Sequence, residues 1–267
     1  MTVDASSRAA SDLLFRCWQQ GWKLPAIPDE MLPKTRADGY AVQAHLEERS
    51  AAPLFGWKIA ATSLAGQAHI GVDGPLAGRI LEERVLAPGT TVSLRGNEMK
   101  VAEPEFAFRM AEDLPPRPAD YRPDEVLAAI GSLHPAIEVP DSRFEDFATA
   151  GEAQLLADNA CAHQFAHGAA ATAGWRELDL VAFAPTATVR RDGQVRLERT
   201  GLGANVLGDP LLALTWLANE LSRQGITLRA GQMVTTGTCM VPVPVEPGDE
   251  VEVDFGVLGG LKLCFGP

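Results

Sequence analysis

This 267-residue sequence is short of positive charge, of clustered cysteines and of long apolar runs. Lys and Arg total 23 against 35 Asp and Glu, for a net charge of −12, and the basic residues form no cluster. Phosphate backbones and anionic membrane surfaces are held by grouped Lys and Arg, so the sequence argues against nucleic acid and membrane partners. An anionic small molecule stays open, because a bound cation can invert the local potential. Cys17, Cys161, Cys239 and Cys264 are too scattered for a C-x-x-C pair. That argues against a zinc knuckle or dithiol redox motif and suits free thiols in a reducing compartment. No apolar stretch approaches the ~20 residues of a membrane span, and the polar start lacks the apolar core of a secretory signal. A soluble, cytoplasmic protein is expected. There is no G-x-S-x-G elbow, and Gly201-Leu202-Gly203 follows a strand pattern instead of opening a helix, so it is not a dinucleotide fingerprint.

What is present is a globular balance, 46% hydrophobic and 22% charged, sufficient for a sizeable core. Leu13, Leu14, Trp18 and Trp22 recur at helical spacing until Pro25, Pro28 and Pro33 break the pattern. Residues 36–48 predict a second helix with Tyr40, Ala41 and Ala44 on one face. From Phe55 the texture turns to short strands punctuated by Gly and Pro: 79–86, 90–94, 103–110, 136–139, and a hairpin, 186–191 with 194–198, around Asp192-Gly193. Helices are predicted over 123–133, over 152–165, and from Asp209-Pro210 to Gln224, where Gly225 closes the last one. Strands return at 233–236, 250–255 and 261–265. Without regular βαβ alternation this predicts an α+β fold or mainly-β roll. The division expected is a helical N-terminal arm, residues 1–70, and a catalytic β-roll, residues 71–267.

The chemistry concentrates in Val101-Ala102-Glu103-Pro104-Glu105-Phe106-Ala107-Phe108. Residues two apart on a strand share a face, about 6.5–7 Å apart. Glu103 and Glu105 therefore point one way, and two carboxylates side by side repel unless one is protonated or a cation lies between them. Glu138 sits inside the apolar stretch Pro135-Ala136-Ile137-Glu138-Val139-Pro140, where a lone carboxylate is costly to bury. Three such oxygen donors suit Mg²⁺ or Mn²⁺. Spacing alone leaves a solvated strand face equally open. His163 and His167, four apart on a predicted helix, form a weaker candidate ligand pair that helix packing explains better.

The surrounding blocks resemble a known family. Gly56-Trp57-Lys58-Ile59-Ala60 is followed by Ile70-Gly71-Val72-Asp73-Gly74-Pro75, the E-x-E strand, Pro135 to Val139, Asp158-Asn159, Gly208-Asp209-Pro210-Leu211, Thr236-Gly237-Thr238 and Val245-Glu246-Pro247-Gly248-Asp249. In this order they are similar to the 2-oxopent-4-enoate hydratase and 4-oxalocrotonate decarboxylase family, within the fumarylacetoacetate hydrolase superfamily. The likeness runs from about Phe55 to the C-terminus. It implies a mixed β-roll, a metal held by Glu103, Glu105 and Glu138, an active-site lysine at Lys58, and homo-oligomers built as closed rings or dimers. The substrates it implies are dienols such as 2-hydroxypenta-2,4-dienoate or their carboxylated relatives. Departures stand at Leu76, at Ala160-Cys161-Ala162-His163 and at Cys239-Met240-Val241-Pro242, all near where substrate would bind.

A 2-oxo acid chelating a divalent cation would have its enolate form stabilised, which serves hydration of a dienol and loss of carbon dioxide alike. Lys58 could pair with the substrate carboxylate or relay protons, and a desolvated lysine near a cation titrates low. Without the resemblance it would read as a surface lysine. Asp73 could orient Lys58 or a water, or cap the turn before Gly74-Pro75. Thr236, Thr238 and Ser142 are candidate substrate contacts, though a strand-end loop explains the two threonines equally well. A hydratase leads, with a 4-oxalocrotonate-type decarboxylase close behind. An acylpyruvate C–C hydrolase commonly needs a histidine–glutamate pair, and no histidine lies in the Gly-Trp-Lys block or between Glu83 and Glu105. A non-catalytic metabolite-binding relative is the alternative from a different class.

Overall fold

The computed structural model describes residues 3–172 and 174–267. Its helices are α1 (Val3–Gln20), α2 (Arg36–Ala44), α3 (Leu64–Ile70), α4 (Pro123–Ala129), α5 (Glu152–Ala157) and α6 (Pro210–Arg223). The strands are β1 (Gly56–Ala60), β2 (Leu76–Ile80), β3 (Val85–Leu86), β4 (Thr91–Ser93), β5 (Val101–Met110), β6 (Ile130–Val139), β7 (Gln164–His167), β8 (Thr186–Arg191), β9 (Gln194–Thr200), β10 (Met233–Thr238), β11 (Val243–Pro244), β12 (Asp249–Asp254) and β13 (Gly260–Gly266). An eight-stranded sheet runs β2-β1-β10-β5-β6-β7-β3, with β11 on β5, and a five-stranded sheet runs β4-β13-β12-β8-β9. Both are mixed: β1 is parallel to β10, β3 to β7 and β13 to β4, and the other pairs are antiparallel. This is the expected α+β architecture.

Period-two alternation explains the core. On β5, Phe106 and Phe108 turn to the face opposite Glu103 and Glu105 and join Val251, Val253, Phe255 and Leu263 in one buried cluster spanning both sheets. Phe106 packs edge-to-face on Phe255, ring centroids 5.2 Å apart. Residues 56–60 form β1 between β2 and β10, which carries Lys58 into the large sheet.

Several local expectations are corrected by tertiary contacts. The helix begun at Pro123 stops at Ala129, and Ile130 to Leu133 pair with β5 as the start of a ten-residue β6. A single helix over 152–165 does not form. Asp158 is captured by Ser142 and Arg143, residues 159–161 turn left-handed, and 164–167 become β7. On α2 the buried face is Gly39, Tyr40, Val42 and Gln43, while Ala41 and Ala44 are exposed. Trp22 lies past the end of α1 and is 57% exposed.

Truncating Phe106 empties space beneath both sheets that rigid strands cannot refill. Phe106→Ala is expected to cost about 3–5 kcal/mol, read as a lower urea midpoint with an unchanged slope; a loss under about 1 kcal/mol would show that Phe106 does not join the sheets.

Candidate metal centre

Register brings the carboxylates together. Glu103 on β5 pairs directly with Glu138 on β6, and Glu105 follows two residues along the same face. One carboxylate oxygen from each of the three lies within 4.8 Å of the others. Glu105 and Glu138 are buried and Glu103 is half-buried. Sequence separation hid this pairing, since 34 residues and a helix intervene between Glu103 and Glu138.

Glu105 is oriented by its neighbours. Its Oε2 accepts from the Thr235 hydroxyl and from the Gly237 backbone N–H at 2.8 Å. Gly237 has φ +95°, and a Cβ there would collide with the Thr62 hydroxyl, so only glycine brings this N–H to the carboxylate. Oε1 of Glu105 and both oxygens of Glu138 are buried without a hydrogen-bond partner among the described residues. Lys58 Nζ lies 3.1 Å from Glu138 Oε2, an ion pair that misses hydrogen-bond alignment, and donates to the Ala160 carbonyl at 2.9 Å.

The charge balance follows. Burial raises the Glu138 carboxyl; Lys58 opposes and Glu103 reinforces the rise, which reaches about 7. Burial, then Glu138 and Glu103, hold Glu105 well above the ordinary carboxylate range, and burial raises Glu103 against the pull of Lys58. Burial pulls Lys58 down, but Glu138, then Glu103, Cys161 and Glu105, outweigh it and hold the amine above its ordinary value. With carboxylates as its neighbours Lys58 is held up; the low titration expected from the sequence is that of a desolvated lysine near a cation, whose charge would offset theirs. Three carboxylates face one ammonium, and their orphaned oxygens are the donors a divalent cation would take. The donor set fits Mg²⁺ or Mn²⁺.

The other predicted residues are placed differently. Asp73 is exposed in the turn before β2, while Lys58 bonds elsewhere. Thr236 faces away and donates to the Phe106 carbonyl at 2.9 Å, and Thr238 donates to the Met240 carbonyl at 2.8 Å. Ser142 is buried and donates to Asp158 at 2.7 Å, inside the Arg143–Asp158 ion pair. His163 is not helical: Trp18 Nε1 donates to its Nδ1 at 2.6 Å, and burial, with Arg143, Arg84 and Lys23 around it, lowers the ring to about 3. His167 lies on β7 against His134, so the His163–His167 pair does not form. Of the departures, Leu76 and Met240 are buried core, and the Cys239 carbonyl accepts from Leu202 and Asn205. Thr235, just before the Thr236-Gly237-Thr238 motif, went unnoticed in the sequence, and Gly237 was read there only as part of that motif.

Comparison with known proteins settles the family. The fumarylacetoacetate (FAA) hydrolase C-terminal family matches residues 37–265. The chain belongs to this family. A 2-keto-4-pentenoate hydratase of Paraburkholderia xenovorans (strain LB400) is 30% identical over 99% of this chain and 96% of its own. A 4-oxalocrotonate decarboxylase of Pseudomonas sp. (strain CF600) is 31% identical over 91% and 90%. The solved 4-oxalocrotonate decarboxylase of Pseudomonas putida G7, complexed with magnesium and adipate, superposes with a TM-score of 0.86 at 28% identity, covering 99% of this chain and 98% of that one. The same decarboxylase has been solved with calcium and acetate.

The raised carboxyls give a pH signature. A carboxyl raised from 4.5 to about 7 contributes stability that is fully present below pH 4.5 and is lost as pH rises through about 7. The metal-free protein should therefore melt lower at pH 8 than at pH 5.5, and Mg²⁺ should raise the melting temperature more at pH 8. Calorimetry showing an Mg²⁺ effect independent of pH would contradict this.

Proposed function

We propose that the chain is a divalent-metal-dependent lyase, a hydratase of a 2-hydroxypenta-2,4-dienoate-type acid in aromatic catabolism. The buried Glu103–Glu105–Glu138 cluster with Lys58 against it is the observation that carries this reading. The three glutamates would hold Mg²⁺ or Mn²⁺, with Thr235 and Gly237 fixing the angle of Glu105. Such a cation supplies Lewis-acid stabilisation of negative charge developing on the 2-oxygen of a 2-oxo acid. Lys58 holds its proton at Nζ beside the carboxylates and is the group placed to hydrogen-bond the bound acid or relay a proton to it. Asp73 serves the turn before β2; Ser142, Thr236 and Thr238 spend their hydroxyls on Asp158 and on the Phe106 and Met240 carbonyls.

Decarboxylation of a 4-oxalocrotonate-type acid is the second reading, supported by the full-length superposition on the Pseudomonas putida G7 enzyme. Both reactions draw on the same charge stabilisation. Against an acylpyruvate hydrolase stands the absence of any histidine from the carboxylate cluster among the described residues. A cytoplasmic, homo-oligomeric enzyme belongs to the same proposal, supported by the free cysteines and the family resemblance. No described helix is long and apolar enough to cross a membrane.

Ultraviolet-monitored turnover of 2-hydroxypenta-2,4-dienoate and 2-oxohex-3-enedioate, with and without Mg²⁺ or Mn²⁺, tests the proposal. Metal-dependent loss of the first identifies a hydratase, and preferential loss of the second a decarboxylase. Lys58→Met should lower kcat by about 100-fold or more. No consumption of either acid in the presence of metal would overturn the lyase reading.

A further inference from the structure

Three consecutive non-glycine residues, Asn159, Ala160 and Cys161, have φ of 57°, 51° and 59°. Left-handed backbone is unfavourable for each L-residue with a side chain, and a run of three persists only where the surroundings over-determine it. The surroundings here do so from both sides. The Asn159 side chain, buried, accepts from Arg79 N at 2.6 Å and donates to the Arg79 carbonyl at 2.8 Å, so its amide docks on β2 as a strand's peptide group would. On the other side, Asp141 N donates to the Cys161 carbonyl at 3.0 Å, while Asp158 is fixed by Ser142 and Arg143.

The turn meets the candidate metal centre through the Ala160 carbonyl, which accepts from Lys58 Nζ. Gly78, opposite Lys58 on β2, leaves room for both partners. A Cβ there would collide with the Asn159 carbonyl and come within 3.0 Å of Lys58 Cγ. An ammonium has three N–H bonds. Nζ lies 2.9 Å from the Ala160 carbonyl and 3.1 Å from Glu138 Oε2, so the amine bridges the turn and the carboxylate cluster.

We propose that Asn159 is the positioning residue for the Lys58 ammonium, holding the left-handed turn against β2 so that the Ala160 carbonyl meets Nζ. Asn159 touches no substrate and acts through Lys58, so the inference rests on the catalytic role given to Lys58 above. Asn suits the position twice over: its short amide tolerates left-handed backbone and supplies one donor and one acceptor to the backbone of the same residue, Arg79.

The test compares Asn159→Ala, Asn159→Asp and Lys58→Met, with Mg²⁺ present, on whichever dienoate the wild type consumes. Asn159→Ala should lower kcat about tenfold or more while KM and Mg²⁺ affinity change less than about threefold. Asn159→Asp, which keeps the acceptor for Arg79 N, should recover most of that loss. A second readout uses no substrate. The chain has five lysines, and Lys23 and Lys58 are both buried in ion pairs. Trinitrobenzenesulfonate labelling resolved by peptide mass spectrometry should find Lys58 protected in the wild type and reactive in Asn159→Ala, with Lys23 still protected. If Asn159→Ala does not accumulate, Asn159→Gly, which keeps the backbone accessible but lacks the amide, takes its place. Wild-type kcat and Lys58 protection in the amide-less variant would overturn the positioning role, as would Lys23 and Lys58 becoming reactive together. Undiminished turnover in Lys58→Met would instead remove the catalytic role on which the inference rests.

Discussion

Three carboxylates held out of water beside a single ammonium are the constraint around which this molecule is arranged. Isolated, each would lose its charge in such surroundings. Glu138 is poised near neutrality, Glu105 is pushed further, and oxygens of both lack hydrogen bonds. Such an arrangement is unfavourable for folding alone. It becomes favourable when a divalent cation neutralises it, and a fold that keeps the cost in its metal-free state is one shaped by binding.

The scaffold makes that cost tolerable. Antiparallel pairing of β5 with β6 fixes the Glu103–Glu138 distance through the backbone ladder instead of through flexible side chains. The irregularity in β10 between Thr235 and Thr238 turns a backbone N–H toward Glu105. On the opposite face the same strands bury Phe106, Phe108 and Val234, so hydrophobic packing holds rigid the surface that carries the charges. The 159–161 turn completes the enclosure by meeting Lys58 from the side facing away from β10.

Alternation over 103–110 was enough to place Glu103 and Glu105 on one face, because strand geometry is local. The hairpin at Asp192-Gly193 and the helix opened by Asp209-Pro210 were legible for the same reason. Glu138 stood out in the sequence as a carboxylate inside an apolar stretch, but its pairing with Glu103 is a register, and register is set by the whole sheet. The helix read over 152–165 failed at Asp158 because its strongest partner, Arg143, lies 15 residues away and outweighs helical propensity. Thr235 stayed invisible beside Thr236 since nothing in a run of threonines says which hydroxyl faces the carboxylate. Ser142 looked available to substrate for want of any sign that Asp158 already held it.

The central claim is that Glu103, Glu105 and Glu138 together hold one divalent cation. Titration with Mn²⁺, followed by the loss of the free ion's paramagnetic resonance signal, reads this without substrate. The account predicts one ion bound per chain in the wild type and an affinity about 100-fold or more lower in Glu138→Gln, since a coordinating charge is removed. Equal Mn²⁺ affinity in the two proteins would contradict it.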